Sequence, residues 1–250
     1  MKYHAKVLRR IDAIDALRGC ALVWMALYHF CFDLNNVGFL RQDFYRDPLW
    51  TTQRTVILSL FLLCAGCGQA LAWRNGQDWP RFWRRWIWIV VCAVLVSIGS
   101  WLMFPDSYIY FGVLHGLAVM LVIARLTAGW GAWLFLPALL ALAAPMVLAP
   151  WLAASSWTET FNAPALNWLG LVTRKPVTED YVPLLPWLGV VWIGVAITDV
   201  WIRRGTPANW RAAPGWQAAL VWLGRHSLWF YMLHQPVLIG LVWLAKSVVS

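Results

Sequence analysis

The stretch "MALYHFCFDL" at residues 25–34 places a histidine, His29, and an aspartate, Asp33, inside an otherwise apolar run. In a helix, their spacing of four residues puts both side chains on one face, one turn apart. The carboxylate can then accept a hydrogen bond from one ring nitrogen and leave the other nitrogen as a base. The spacing therefore predicts a catalytic base at His29 with Asp33 as its partner. The alternative is that His29 binds a neighbouring carbonyl and serves packing.

A basic group precedes this pair on the same helical face. Arg18 lies about 16 Å before His29 by helical rise, and the stretch "LGRHSLWFYMLHQP" brings Arg225, His226 and Ser227 to the start of the last apolar run. Guanidinium and imidazolium groups suit phosphates, so we predict that these four residues bind a phosphate-bearing donor. Alternatively, Arg18 pairs with Asp15 one turn earlier or reaches the lipid headgroups.

Two more histidines fall within apolar runs. His234 precedes Pro236, which is expected to kink a helix just past it. In "YIYFGVLHGLA", Tyr108 and His115 are predicted to share one face of a helix. Because ionisable groups within a membrane span are costly and usually functional, both histidines are predicted to be catalytic and able to polarise a carbonyl oxygen.

Acidic and tyrosine side chains flank the opposite ends of these runs. The predicted substrate-binding residues are Asp106, Tyr108, Asp180 and Tyr181. Carboxylates at such a position could bind the hydroxyl or amino groups of an acceptor. The same residues could equally form an ordinary solvated loop.

The composition identifies the environment that these residues occupy. Of 250 residues, 61% are hydrophobic and only 12% are charged, whereas a soluble domain is nearer half apolar and a quarter charged. Several runs of about twenty residues are long enough to cross a bilayer. The 21 tryptophans, many at the ends of runs, fit the headgroup layer. The net charge of +9 lies in separate loops, which favours a membrane protein over a nucleic-acid-binding one.

The sequence therefore predicts an all-α polytopic membrane protein, a bundle of about seven transmembrane helices forming a single domain over residues 1–250 with a short basic segment, 1–16, at its start. The predicted helices are Leu17–Leu34, Thr55–Trp73, Trp86–Phe104, Tyr108–Leu126, Trp130–Leu152, Leu184–Ile202 and Ser227–Ser247. Lysines and arginines are concentrated in alternate loops, which predicts a cytoplasmic N-terminus and an outside C-terminus.

Four motifs together resemble a known family. They are "RxxAIDALRGxALxxMxxxH" at Arg10–His29, "YIYFGVLHGLAV", "DYVPLLPWLGVVWIG" and "LGRHSLWFYMLHQPVL". Their order and spacing resemble the bacterial members of the heparan-alpha-glucosaminide N-acetyltransferase-like family, which belong to the transmembrane acyltransferases. In the lysosomal members, the position that matches His29 resembles an asparagine. The catalytic roles above are therefore assigned from this chain's own residues.

The resemblance implies acetyl transfer from cytoplasmic acetyl-CoA, or another acyl-CoA, to an amine or hydroxyl of a sugar or glycan acceptor on the outer side. It implies a multi-pass protein of the bacterial plasma (inner) membrane. The expected partners are acetyl-CoA, the acceptor and the lipid bilayer, with no metal and no nucleic acid, and the sequence is compatible with a homodimer. In this mechanism His29 deprotonates the acceptor, which attacks the thioester directly; a route through an acetyl-histidine stays open.

A proton-coupled transporter of a small sugar or anion is the alternative function. It would use the same intramembrane histidines and aspartates as a proton relay. Against it, the sequence shows no pair of interrupted spans in two matching halves.

Overall fold

The computed structural model describes residues 11–205 and 214–249, which fold into helices joined by turns and loops. The helices are α1 (Asp12–Asn36), α2 (Pro48–Arg74), α3 (Trp79–Met103), α4 (Val113–Thr127), α5 (Phe135–Ala153), α6 (Thr158–Asn162), α7 (Leu184–Arg203), α8 (Trp216–Arg225) and α9 (Ser227–Val249). Two 3-10 segments, Ala128–Leu134 and Asn167–Leu169, complete the secondary structure of this part of the chain. The all-α fold class is therefore confirmed.

Within the described ranges, six helical stretches are long and apolar enough to cross a membrane. One of them, Val113–Ala153, has 41 residues and contains two of the predicted spans. It is interrupted at Gly131, whose φ of 56° and ψ of −126° lie outside the helical region. Each of the seven predicted helices thus has a counterpart, and the chain is a polytopic membrane protein. The orientation of the termini stays a prediction.

The start of α4 differs from the predicted helix Tyr108–Leu126 for a local reason, and one further helix was not predicted. The chain at residues 108–112 is not helical, because hydrogen bonds hold it to a second loop: the Thr178 hydroxyl donates to the carbonyl of Tyr108 at 2.8 Å, and the Val182 amide donates to that of Phe111 at 3.1 Å. The prediction that Tyr108 and His115 share a helical face is therefore wrong. Helix α8 was not predicted, and at 10 residues it is too short to span a bilayer.

The described residues divide into two compact units, and the first contains residues 11–64 and 214–249. Here α1 packs along α8 and α9. Glycines allow the close approach of α1 and α8, because a Cβ at Gly19 would clash with the carbonyl of Leu220 and a Cβ at Gly224 with that of Asp15. This packing brings Asp15 and Arg18 of α1 within hydrogen-bonding distance of the end of α8.

An aromatic cluster stabilises the other end of α1. Phe44 is 2% exposed and stacks on Trp50 with ring centroids 4.0 Å apart, and both rings meet Tyr28 edge-on. The indole N–H of Trp24 donates to the Gln53 side chain at 2.9 Å. Edge-to-face and offset-stacked aromatic pairs add to the energy of simple burial, so the loop after α1 is held firmly against α1 and α2.

The second unit contains residues 65–205, in which α5 and the 3-10 segment 128–134 pack on α7 and α3 packs on α4. The buried Asp199 carboxylate organises one end of this unit. It pairs with Arg74 and with Arg203, and it accepts the amide N–H of Ala132 at 3.2 Å. Gly131 adopts its left-handed φ at this place, where any Cβ would clash with that carboxylate.

Candidate active site

His29 and His234 meet within the first unit. Their ring centroids are 5.2 Å apart and their planes make an angle of 60°. His29 lies in the C-terminal half of α1, and His234 lies in α9, which packs on it. The sequence predicted both residues as catalytic without predicting their contact, and the structure brings them together in one place.

The hydrogen bond of His234 determines which of its ring nitrogens can act as a base. Its Nδ1 lies 2.7 Å from the carbonyl oxygen of Tyr231. A carbonyl can only accept, so Nδ1 carries the proton, and in the neutral ring Nε2 then holds a lone pair. His234 is 9% exposed, and Nε2 has no hydrogen-bond partner among the described residues. A buried, unpaired nitrogen with a fixed tautomer is well prepared to accept a proton from a bound group.

Asp33 does not bind His29 as the helical spacing predicted. Its two carboxylate oxygens accept instead from the Gln235 side-chain amide, at 3.0 and 3.1 Å. The i,i+4 spacing does place His29 and Asp33 on one face of α1, but α9 packs there and supplies a donor that is better placed. Asp33 is 6% exposed, so its carboxylate depends on this contact. The proposed orienting role of Asp33 toward His29 is therefore corrected.

Three of these side chains, those of Asp33, His234 and Gln235, present acceptors beside His29. The Gln235 amide nitrogen is bound to Asp33, and its Oε1 is buried without a partner in the part of the chain that the structure describes. His234 adds the lone pair of Nε2, and the Asp33 carboxylate has further lone pairs. An unsatisfied buried acceptor costs free energy. Such a cluster suits a bound group that brings N–H or O–H bonds, as an amine or a hydroxyl does.

Arg18 is engaged by the protein rather than open to a phosphate. It donates to the Asp15 carboxylate at 3.1 Å, to the carbonyl of Cys64 at 3.1 Å and to that of Gly224 at 3.3 Å. Its side chain is 16% exposed. These bonds match the alternative in which Arg18 pairs with Asp15, because the close packing of α1 on α8 brings buried acceptors to the guanidinium. The structure thus favours a structural role for Arg18.

The other predicted phosphate-binding residues are more accessible. Arg225 is 41% exposed and pairs with Asp12 at 2.7 Å and with Asp15 at 3.4 Å. His226 is exposed, and its Nδ1 lies 2.8 Å from the carbonyl oxygen of Trp222. Ser227 is half-buried and begins α9. Phosphate binding stays a prediction for these residues.

In the second unit, His115 has a partner for each ring nitrogen. Nδ1 accepts the amide N–H of Gly112 at 3.3 Å, so Nε2 carries the proton and donates to the Ser97 hydroxyl at 3.0 Å. The hydroxyl in turn donates to the carbonyl of Ile109 at 2.6 Å. In this tautomer the one ring lone pair is already occupied by the Gly112 amide. The structure therefore favours a role for His115 in fixing the start of α4.

The predicted substrate-binding residues of the second unit fall into two groups. Asp106 and Tyr108 are exposed. Asp180 accepts the Val113 amide N–H at 2.7 Å and so caps α4, where a carboxylate is favourable. The Tyr181 hydroxyl donates to the carbonyl of Asn167 at 2.5 Å, and burial raises its pKa well above the ordinary value. Asp180 and Tyr181 thus contribute to the architecture, and substrate contact stays a prediction for all four.

Two functional or structural polar residues were not among the predicted site residues. Gln235 directly follows His234 in the sequence, and a polar side chain in a span is itself a signal. Asp199 gave the same kind of signal, with Arg203 one turn later on the same helix. Among the described residues, no cluster of histidine, cysteine, aspartate and glutamate side chains could hold a metal ion.

Comparison with known proteins bears on the chemistry of this site. A family model described as "Heparan-alpha-glucosaminide N-acetyltransferase, catalytic" matches residues 10–236. The matched segment contains the site residues of both units and ends just after Gln235. A search of curated proteins and a search of solved structures each found no match.

Proposed function

Because the chain belongs to the heparan-alpha-glucosaminide N-acetyltransferase catalytic family, we propose that it transfers an acetyl group from acetyl-CoA to an amine or hydroxyl of a sugar or glycan acceptor. The chain is a membrane protein, since six of its described helices are long and apolar enough to cross a bilayer. It is also a member of an acetyltransferase family. The identity of the donor, the class of the acceptor and transfer from the cytoplasmic to the outer side are the parts that we propose.

The observation that carries this proposal is the Nε2 of His234, unpaired among the described residues and close to His29. A nucleophilic amine or hydroxyl must lose a proton as it attacks a thioester, and general-base catalysis supplies about 10²–10⁴-fold in rate. The bond from Nδ1 of His234 to the Tyr231 carbonyl leaves Nε2 as the acceptor for that proton. The geometry therefore supports His234 as the base better than it supports His29, to which the sequence assigned that role.

In the proposed reaction the acetyl group passes directly from the sulfur of CoA to the acceptor. The acceptor nitrogen or oxygen forms a bond to the thioester carbonyl carbon, and its proton passes to Nε2 of His234. The carbon–sulfur bond then breaks, and the CoA thiolate leaves and takes up the proton from the imidazolium. In this proposal the ring N–H of His29 donates a hydrogen bond to the carbonyl oxygen as negative charge develops there, and the 5.2 Å between its ring centroid and that of His234 supports this role.

Asp33 and Gln235 have a supporting part in this proposal. The carboxylate holds the amide nitrogen of Gln235, which directs the carbonyl end of that amide away from Asp33. Gln235 is the residue after His234 in α9, so its hydrogen bonds to Asp33 also restrict the movement of groups near the His234 ring. A rigid arrangement of this kind reduces the cost of orienting the acceptor for attack.

The proposed function is tested with protein purified in detergent and acetyl-CoA labelled in the acetyl group. We expect acetyl-CoA to raise the unfolding temperature, since a ligand that binds only the folded state stabilises it. We also expect the label to appear on an added amino sugar, and the exchange Leu27→Ala on the exposed face of α1 to leave transfer unchanged. If acetyl-CoA produced neither a thermal shift nor transfer, the result would favour the transporter and overturn the proposal.

A further inference from the structure

A hollow of about 520 Å³ opens in the first unit at the Asn36 end of α1. Phe32 and Phe44 contribute apolar surface to it. The polar side chains that line it are Asn35, Asn36, Arg41, Gln42, Asp43 and Tyr45. Its volume falls within the range of small-molecule sites, about 300–1,000 Å³, and no function assigned above involves it.

Hydrogen bonds and packing fix the walls of this hollow. The amide N–H of Gln42 donates to the Asn35 side chain at 2.7 Å. The amides of Tyr45 and Arg46 each donate to the Asp43 carboxylate at 3.0 Å. Between them, Phe44 is buried in the aromatic cluster at the end of α1. A loop held at these points is preformed, so less conformational entropy is lost when a ligand binds.

The lining chemistry fits a carbohydrate. Primary amides, a guanidinium and a carboxylate offer several donors and acceptors that can bind neighbouring hydroxyl groups. The Tyr45 ring, 59% exposed, offers an aromatic face for the apolar side of a sugar ring. An acyl chain would leave these polar groups unpaired. A free phosphate is disfavoured because the Asp43 carboxylate shares the wall with Arg41.

The helical register connects the hollow with the proposed active site. Asn36 follows His29 by seven residues on α1, so both side chains lie on nearly the same face, two turns apart. The helical rise makes this separation about 10 Å along the axis. A group bound in the hollow therefore lies too far from His29 and His234 to react there. One ligand can reach both the hollow and the two histidines only if it is extended.

Resting on the acyltransferase function proposed above, we propose that the hollow is a second sugar subsite. It binds the sugar ring next to the ring that receives the acetyl group, so the acceptor is a glycan of at least two rings. The hollow adds affinity for the acceptor without contacting the reacting atoms. Its residues therefore act on the KM for long acceptors and leave the chemical step unchanged.

The test compares glucosamine with its β-1,4-linked disaccharide as acceptors at saturating acetyl-CoA. We expect the disaccharide to have a KM about tenfold lower, the effect of one or two good hydrogen bonds. The exchanges Arg41→Ala and Tyr45→Ala should each remove most of that advantage with little effect on glucosamine or on kcat. Arg46→Ala is the matched control, since Arg46 is exposed in the same loop and does not line the hollow.

A binding measurement separates this inference from the proposed function. Disaccharide binding is followed directly by tryptophan fluorescence of the wild type and of both arginine variants. Transfer without any advantage of the disaccharide, or equal effects of Arg41→Ala and Arg46→Ala, would overturn the subsite and leave the function standing. Binding that depends on Arg41 without acetyl transfer would support the subsite as a sugar site and overturn the function. Absence of both binding and transfer would overturn both proposals.

Discussion

Replacing Gln235 by methionine should destabilise the protein, because the Asp33 carboxylate loses its hydrogen-bond donor. Methionine keeps the length and approximate volume of glutamine but lacks the amide that binds the carboxylate at 3.0 and 3.1 Å. Asp33 is 6% exposed, so water cannot easily take the place of that amide. The variant thus leaves a buried carboxylate without the donor that α9 supplies.

The size of the effect follows from the kind of hydrogen bond. Bonds to charged groups contribute about 1.5–3 kcal/mol in soluble proteins. Bonds between transmembrane helices average about 0.6 kcal/mol, with a maximum near 1.7 kcal/mol. Because the acceptor here is a carboxylate in a buried position, the upper part of the membrane range applies. We expect Gln235→Met to cost about 1–2 kcal/mol of unfolding free energy.

A double-mutant cycle isolates this interaction from the packing of the two side chains. Asp33→Leu removes the carboxylate and leaves the Gln235 amide unsatisfied, at a cost of about 1–3 kcal/mol. The variant that combines Asp33→Leu with Gln235→Met removes both polar groups, so it should be more stable than the sum of the single changes predicts. The expected coupling energy is about 1–2 kcal/mol.

Unfolding in a titration with a denaturing detergent, followed by tryptophan fluorescence, gives the four stabilities. The 21 tryptophans provide a strong signal. Effects that add within about 0.5 kcal/mol would mean that the two side chains do not interact. That outcome would refute the assignment of Gln235 as the partner of Asp33 and reopen the predicted pairing of Asp33 with His29.

Three further predictions concern the architecture around the site. Arg18→Ala should lower the free energy of unfolding by about 1.5–3 kcal/mol in the same titration, because it removes one of the two guanidinium groups that bind the buried Asp15, together with the donor to two backbone carbonyls. Arg225→Ala should cost less than about 1 kcal/mol and raise the KM for acetyl-CoA; equal stabilities would contradict this division. Gly224→Ala should reduce the yield of folded protein, since its Cβ would meet a backbone carbonyl of α1, and a wild-type yield and stability would contradict the close packing. A reporter fused after Ser250 should read as outside the cytoplasm, and a cytoplasmic signal from a correctly inserted fusion would reverse the predicted orientation.

Much of the fold was predictable because a bilayer restricts the chain so strongly. Apolar runs of sufficient length must be helices that satisfy their own backbone, and every predicted span has a helical counterpart. The boundary at Tyr108 was missed because it depends on hydrogen bonds from Thr178 and Val182, which lie far along the chain. The helix α8 was missed because its 10 residues are amphipathic and short, so hydropathy gives no signal of a span.

The members of the candidate site were more predictable than their partners. Ionisable residues in a span stand out in the sequence, which identified His29, Asp33 and His234. Spacing within one helix then suggested a bond between His29 and Asp33, but it contains no information about the side chains of a packed neighbour. In the structure the side-chain amide of Gln235, on α9, donates to Asp33 in place of His29. Likewise, the tautomer of His234 depends on the Tyr231 carbonyl, which only the folded helix places within reach.

The rate of acetyl transfer by His234→Ala tests the central claim most directly. Leu233→Ala is the control, because Leu233 is the preceding residue of α9 and is 59% exposed. Acetyl-CoA binding and the unfolding temperature are measured in parallel, to show that each variant is folded and binds the donor. We predict that His234→Ala binds acetyl-CoA normally but loses about 10²–10⁴-fold in rate, while Leu233→Ala transfers at the wild-type rate. A folded His234→Ala variant with wild-type turnover would contradict the account and return the role of base to His29.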